Sequence, residues 1–389
     1  MQRVLDVFWT FLRLGCTSFG GPVAHLAYFR REFVERRAWI DDGTFAQCVA
    51  LTQLLPGPGS SQTGMLIGWL RAGPGGAFAA WLAFTLPSAV IMTLFARTTP
   101  AGGGGGGGWL HGLLIVAAAV VASALVALRA TLAPDAPRLS IALAVMAATI
   151  VLPSPATSPA AIGIAAAVGL AALRPPATSA PTLDLRVSRA AGAVVLGAFV
   201  AALMGLGWWA SPGSHVALLT DTLFRVGSLV FGGGHVVLPL LQTQAVSAGI
   251  VDQRTVLAGY AAAQAIPGPL FTIATYVGAC AWRSSLGVPG ALLGTIAIFA
   301  PSFFLLAGVA PFYRALASNA RFRAALAGAN AGVVGLLAAA LVTPILHTAV
   351  HTALDALGAL AAFAALRYAN IPVWAIVMVA ALLGFLLER

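Results

Sequence analysis

Arg13-Leu-Gly-Cys-Thr-Ser-Phe-Gly-Gly-Pro22 decides the reading of this chain, because it returns as Arg225-Val-Gly-Ser-Leu-Val-Phe-Gly-Gly-Gly234. The match continues in register. Asp41 and Thr44 correspond to Asp252 and Thr255, and Gln53-Leu-Leu-Pro-Gly-Pro58 corresponds to Gln264-Ala-Ile-Pro-Gly-Pro269. Gly76 then matches Gly290, and Pro87-Ser88 matches Pro301-Ser302. Order and spacing agree throughout, so the chain is an internal repeat. The first half is assigned to 1–173, a Pro-rich linker to 174–189 and the second half to 190–389.

The repeat is embedded in apolar sequence. Of 389 residues, 60% are apolar and 8% charged, against about 45–50% and about 25% in soluble domains. So few charges cannot cover a soluble globule of this length, which points to a polytopic membrane protein. The formal charge of +10 comes from 21 Arg, no Lys and 11 acids. These arginines are scattered between apolar runs, as loop charges are on membrane proteins; no nucleic-acid partner is expected. Cys16, Cys48 and Cys280 are isolated in apolar sequence and form neither a metal motif nor a disulfide framework. The first segment lacks a cleavage pattern and is expected to be retained.

A hydrocarbon core of about 30 Å takes about 20 helical residues. Full-length spans are expected at 75–96, 109–128, 190–210, 289–313 and 324–346. Shorter pairs occupy 140–152 with 159–173 and 353–366 with 372–387. Segments 5–28, 44–70, 217–243 and 255–282 carry internal Gly/Pro breaks. The expected fold is therefore an all-α membrane protein of about 13 segments in two homologous halves. Counting each broken segment as one pass puts about seven passes between the two Arg-x-Gly copies. The odd number inverts one copy relative to the other, as in secondary transporters. The glycine run 102–108 reads as a loop. On the same count, arginine balance favours a cytoplasmic N-terminus, with the four-arginine segment 30–37 as a solvated connection on the opposite side.

The breaks are the candidate chemistry. Backbone groups freed inside a membrane must be buried in protein or line a cavity. A helix restarting after a break presents free N–H groups and a positive dipole end. Candidate binding residues are therefore Gly20, Gly21, Pro56, Gly57, Gly232, Gly233, Pro267 and Gly268, with Ser60, Ser61 and Thr272 beside them. Arg13 and Arg225, costly at membrane depth, are expected to supply positive charge; Asp221 is placed to pair with Arg225. The polar set further includes Gln53, Gln264 and His235, with Ser18, His25, Gln62, Thr63, Thr275 and Tyr276, although the register sets Val23 opposite His235. No Asp or Glu falls in the middle of a predicted span, Asp6, Asp221 and Asp355 lying near span ends, and no HExxH, GxSxG or Walker-type loop occurs. A cation or proton antiporter normally carries an intramembrane carboxylate. The inventory instead suits an anion, held between half-helix N-termini of both halves, with one half rocking against the other. No metal or cofactor is expected. An intramembrane enzyme using His25 or His235 is the alternative of another class.

Phe19-Gly-Gly-Pro22 with Arg13, Leu55-Pro-Gly-Pro58, Phe231-Gly-Gly-Gly-His235 and Ile266-Pro-Gly-Pro269 together resemble the chromate ion transporter (CHR) family in its long, two-domain form. The likeness covers roughly 5–97 and 217–313, with Gly234 departing from the proline at Pro22. It implies a multi-pass bacterial inner-membrane protein, not an enzyme, that exports chromate and gives resistance. Sulfate is the competing oxyanion or alternative substrate. The expected partners are that anion and the lipid bilayer, with a homodimer as the candidate assembly.

Overall fold

The computed structural model describes residues 1–99, 107–175, 183, 185, 187–209, 214–282, 287–369 and 371–387. Most of the glycine run and of the 174–189 linker lies outside the described residues. Among the described residues there is no strand. The first half runs α1 (Gln2–Thr17), α2 (Gly21–Phe29, continued as a wider helical turn through Arg30–Arg36), α3 (Asp42–Leu54), α4 (Gly59–Thr98), α5 (Gly107–Leu132), α6 (Ala136–Val151) and α7 (Thr157–Ala172). Then comes α8 (Arg189–Trp209). The second half begins with α9 (His215–Leu229), α10 (Val237–Leu241), α11 (Gln253–Ala265), α12 (Ile273–Ala281) and α13 (Val288–Val309). It ends with α14 (Tyr313–Ser318), α15 (Ala320–Ala340), α16 (Leu346–Ala349), α17 (Ala353–Arg367) and α18 (Val373–Leu386).

The matched motifs become matched structures. Asp41 and Asp252 are N-caps, each accepting from the Thr N–H three residues on, at 2.7 Å in both. The cap satisfies a helix-start donor that has no partner inside the helix. At the breaks the chain reverses through left-handed glycines: Gly57 has φ +121° and Gly268 φ +101°, angles that a Cβ makes costly. In the Arg-x-Gly copies, Gly15 and Gly227 lie against the backbones of Phe84 and Ile298. Small residues let membrane helices approach this closely.

The four broken segments are re-entrant hairpins, which corrects the single-pass expectation for 5–28, 44–70, 217–243 and 255–282. Asp6, in the second turn of α1, binds Arg37 beyond α2 at 2.9 Å and Arg71 at the end of α4's first arm at 3.7 Å. Arg13 binds Glu32 across the first hairpin at 2.6 Å. The chain therefore enters twice and returns twice to the face where α1 begins. At Ala72 and Gly73 α4 breaks its helix, and its second arm crosses the membrane. The second half repeats this course: α12 returns along α13, and the turn after α10 lies against α9. Sequence alone could not show the reversal, because it is made by contacts between residues far apart in the chain. The 13 segments remain, divided among the described residues into four hairpins and nine single helices.

Inversion survives the correction. Five helices, the second arm of α4 and α5 to α8, separate α1 from α9, an odd number. Met1, Arg3 and Arg71 share one surface pocket with Leu185, Ser188 and Ala191, so α8 starts on the α1 face. His111 at the start of α5 binds Asp355 at the start of α17 at 3.0 Å, which marks the other face. With the hairpins returned, segment 30–37 joins the α1 face. Arginines at the ends of α4's first arm, α5, α7, α13 and α17 lie there too, while the opposite face carries Arg97 and Arg254 among the described residues.

The halves are interwoven. From the first half, α5 packs on α17 and α18 of the second; α15 of the second packs on α6 and α7 of the first. The helices sort into a hairpin core (α1–α4, α9–α13) and a panel (α5–α7, α15–α18), each drawn from both halves and joined where α11 packs on α5 and α18. Neither half stands as a separate body.

Candidate functional site

The four hairpin tips meet in the middle of the molecule. The Gly57 N–H donates to the Val230 carbonyl at 2.7 Å, and the Gly268 N–H donates to the Ser18 carbonyl at 3.0 Å. Each Pro-Gly-Pro bend of one half thus caps the broken Phe-Gly-Gly helix of the other. The Pro-Ser pairs brace the same bends crosswise. A Cβ on Gly57 would lie 3.0 Å from Ser302 Oγ, and one on Gly268 would lie 2.7 Å from Ser88 Oγ. Gln62 Nε2 ties its own bend, donating to the Pro56 carbonyl at 2.8 Å and to Ser302 Oγ at 3.2 Å. The two bend N–H groups expected to face an anion are therefore already engaged. Donors remain on the first turn of α4, at Gly59, Ser60 and Ser61, which no carbonyl inside the helix can satisfy.

Around this junction the first half supplies Ser18, His25, Ser60, Ser61, Gln62, Thr85 and Ser88, all buried. His25 joins three segments. Its Nε2 lies 3.2 Å from the Ser18 carbonyl and its Nδ1 3.2 Å from Ser60 Oγ. A carbonyl only accepts, so Nε2 carries the proton and Nδ1 accepts from the Ser60 hydroxyl. The ring stands edge-on to Phe84, with centroids 5.2 Å apart.

The other expected site residues divide plainly. Pro56, Gly57, Ser60, Ser61, Pro267, Gly268 and Thr272 lie at the junction; the Thr272 hydroxyl is spent on the Pro269 carbonyl at 2.8 Å. Gly232 and Gly233 lie against Leu132 and Leu128 of α5. Gln264 and His235 form a second cluster with Tyr260: His235 Nδ1 is 2.7 Å from Tyr260 Oη and 3.0 Å from Gln264 Nε2. Gly20 and Gln53 are exposed.

Both arginines have other work. Arg225 Nε donates to both oxygens of Asp221 at 2.8 and 2.9 Å, and its Nη2 donates to the Leu203 carbonyl of α8 at 3.1 Å. Arg13 binds Glu32, which also receives Arg36 and Arg37. The solvated reading of segment 30–37 holds for Arg30, Arg31, Glu35 and Arg36, which are exposed, and fails at Glu32, which is only 6% exposed. Burial alone would raise the Glu32 carboxyl. The Arg37 hydrogen bond and the charges of Arg13, Arg36 and Arg37 outweigh it and hold the group below its ordinary range. Sequence reasoning also passed over Ser302, Thr85 and Tyr260. The repeated Pro-Ser pair was the available signal for Ser88 and Ser302; nothing local marks the other two.

Among the described residues no cluster of His, Cys, Asp and Glu has the makings of a metal site. The junction offers hydroxyl and N–H donors without a carboxylate, an arrangement that can hold an anion.

Comparison with known proteins agrees with the two-half architecture. The model of the chromate transporter family matches residues 5–171 and 217–385, leaving α8 between the two matched regions. A chromate transport protein of Pseudomonas aeruginosa is 28% identical over 345 residues, covering 86% of this chain and 79% of its own. One from Cupriavidus metallidurans is 27% identical, covering 85% and 80% respectively. An uncharacterized transporter of Methanocaldococcus jannaschii is 27% identical, covering 86% and 83%. No solved structure matches the chain significantly. With two matches that together span most of its length, the chain belongs to the chromate transporter family.

Proposed function

We infer that this protein exports chromate, a tetrahedral oxyanion, across a bacterial inner membrane by secondary active transport and so confers chromate resistance. The observation that carries the reading is the junction of four inverted hairpin tips, rich in hydroxyl and N–H donors and without a carboxylate among the described residues. The naming of two relatives as chromate transport proteins supports the choice of anion. The arginine-rich α1 face is cytoplasmic by the positive-inside rule. The first-half hairpins then enter from the cytoplasm and the second-half hairpins from outside. An inside-negative potential favours outward movement of a dianion by about 2.3 kcal/mol per charge per 100 mV. Alternating access comes from the hairpin core moving against the panel. In the state described here α5 of the panel covers the Gly232-Gly233 tip of the second half. Sulfate, of similar shape and charge, competes for the site, and the protein works as a homodimer.

Labelled chromate uptake into energised everted vesicles tests the function. Uptake that excess sulfate suppresses is the expected result. Sulfate uptake without chromate uptake would move the substrate to sulfate, and movement of neither would remove the oxyanion reading.

A further inference from the structure

The two halves contribute unequally to the junction. Ser18 Oγ, Ser61 Oγ and Thr85 Oγ1 are buried without a hydrogen-bond partner, and their residues are 0%, 3% and 2% exposed. Buried polar groups are almost always paired, so three orphan hydroxyls in one half call for an explanation. Their residues gather about His25: its ring bonds the Ser18 carbonyl and the Ser60 hydroxyl, Ser61 follows Ser60, and Thr85 follows the Phe84 against which the ring stands. The register of the repeat gives their counterparts. Ser18 corresponds to Val230, Ser60 to Phe271, Gln62 to Ile273 and Thr85 to Phe299, all apolar and buried. Ser61 corresponds to Thr272, whose hydroxyl is already bonded. The first-half wall thus carries unsatisfied hydroxyls, and the second-half counterparts of those hydroxyls are apolar or already bonded.

We propose that the oxyanion is bound by the first-half wall alone, through the hydroxyls of Ser18, Ser61 and Thr85 and the free N–H groups of α4's first turn. The second half serves as an apolar lid. This rests on the oxyanion reading above and narrows it. The ligand lies off the pseudo-two-fold axis rather than between both sets of half-helices. The Ser61 hydroxyl stands on the same helix turn as the free N–H groups, so hydroxyl and helix dipole act on one point. His25 holds the Ser60 hydroxyl and keeps it from satisfying the Ser61 or Thr85 oxygen. Gln62 Oε1, the fourth orphan of this wall, is an acceptor and takes a water or a protonated oxygen of the ligand.

Ser18→Ala, Ser61→Ala and Thr85→Val test the assignment in full-length protein. Two readouts are used: chromate uptake in everted vesicles, and the thermal shift that chromate or sulfate gives the purified protein. Ser228→Ala is the control, since that buried second-half hydroxyl is bonded to the Phe224 carbonyl. Each wall variant should raise the half-saturation concentration about tenfold and shrink the ligand-induced shift. The ligand-free melting temperature should hold or rise, because an orphan polar atom has been removed. A merely structural hydroxyl would do the reverse, lowering the melting temperature with half-saturation unchanged. Wild-type half-saturation and ligand shift in all three variants would overturn the assignment while leaving oxyanion transport standing. A wild-type protein that neither moves nor is stabilised by either anion would overturn both.

Discussion

The hairpins of the two halves share motifs, caps and bends, yet they sit in different surroundings. Those of the second half are wedged into the molecule. Val236, Val237 and Leu238 are fully buried, α11 packs on α5 and α18, and α8 lies along α9 and α13. Those of the first half hang from α4 around their own small core of Val7, Phe11, Phe29, Phe33 and Phe84. Val23 on α2 is 83% exposed. No helix plays the part of α8 for α1 among the described residues. The arginines differ in the same sense. Arg225 stitches its helix to α8, whereas Arg13 closes its own hairpin onto Glu32. A repeat that folds twice in the same way can divide its labour: one copy is seated in the scaffold, and the other keeps the polar groups and the freedom to move.

The harshest way to break this comparison is to fill a bend. Gly57→Leu places a side chain at φ +121°, 3.0 Å from Ser302 Oγ and in the space of the Gln62 amide. Transport should fall at least a hundredfold while the protein still inserts, as read by vesicle uptake against immunoblotted abundance. Normal flux would show that the tips are not the pathway.

Next comes the seating of the second-half hairpins. Ser158 of the panel and Thr243 of the core meet at 3.3 Å through their hydroxyls. A Ser158→Cys/Thr243→Cys pair, with Cys16→Ser to remove the exposed native thiol, should form a disulfide that stops most transport. Reductant should restore it. A tethered protein that transports normally would show that core and panel do not move apart there.

The ion pairs separate the halves more gently. Arg225→Gln leaves the mostly buried Asp221 without its partner and frees a carbonyl of α8. It should cost about 1–3 kcal/mol, seen as a lowered melting temperature in detergent. Arg13→Gln leaves Glu32 with Arg36 and Arg37 and should cost less than about 1 kcal/mol. Equal losses would erase the distinction drawn between the two arginines.

The smallest effect is acid sensitivity. The folded Glu32 carboxyl titrates below its unfolded value, so its contribution is complete above the ordinary carboxylate pKa of about 4.3. That contribution is lost as pH falls through the lower, folded value. Glu32→Gln should flatten this acid limb of the melting-temperature profile, and an unchanged limb would assign it to other carboxylates.

Much of this arrangement is legible in the chain itself. Glycine and proline breaks, N-caps and the repeat are local facts, and local sequence records them. What happens after a break is not local. Whether the chain crosses or turns back is decided by Asp6 finding Arg37 and Arg71, with Trp39 beneath both guanidinium groups at 5.3 and 5.0 Å. Segment 30–37 alternates acid and base as a solvated loop does, and nothing in that pattern says that Glu32 is drawn inside. The bend glycines are visible in the sequence as breaks, but their N–H groups are committed to carbonyls about 170 and 250 residues away. The unequal polarity of the walls was present in the aligned halves, in Ser18 against Val230 and Thr85 against Phe299. It acquires meaning only once both positions are known to face one junction.

The crosswise bond from Gly268 to Ser18 also imposes a schedule on synthesis. When the first hairpin leaves the ribosome, its Ser18 carbonyl has His25 as a donor but the Gly268 N–H has not yet been translated, nor have α17 and α18, which cover α5. The early half must wait in the bilayer, held by the Asp6 and Glu32 charge cluster and its small aromatic core, until about 250 further residues arrive. A chain halted before Gly268 therefore leaves the Ser18 tip without its crosswise bond, and one halted before α17 leaves α5 uncovered as well.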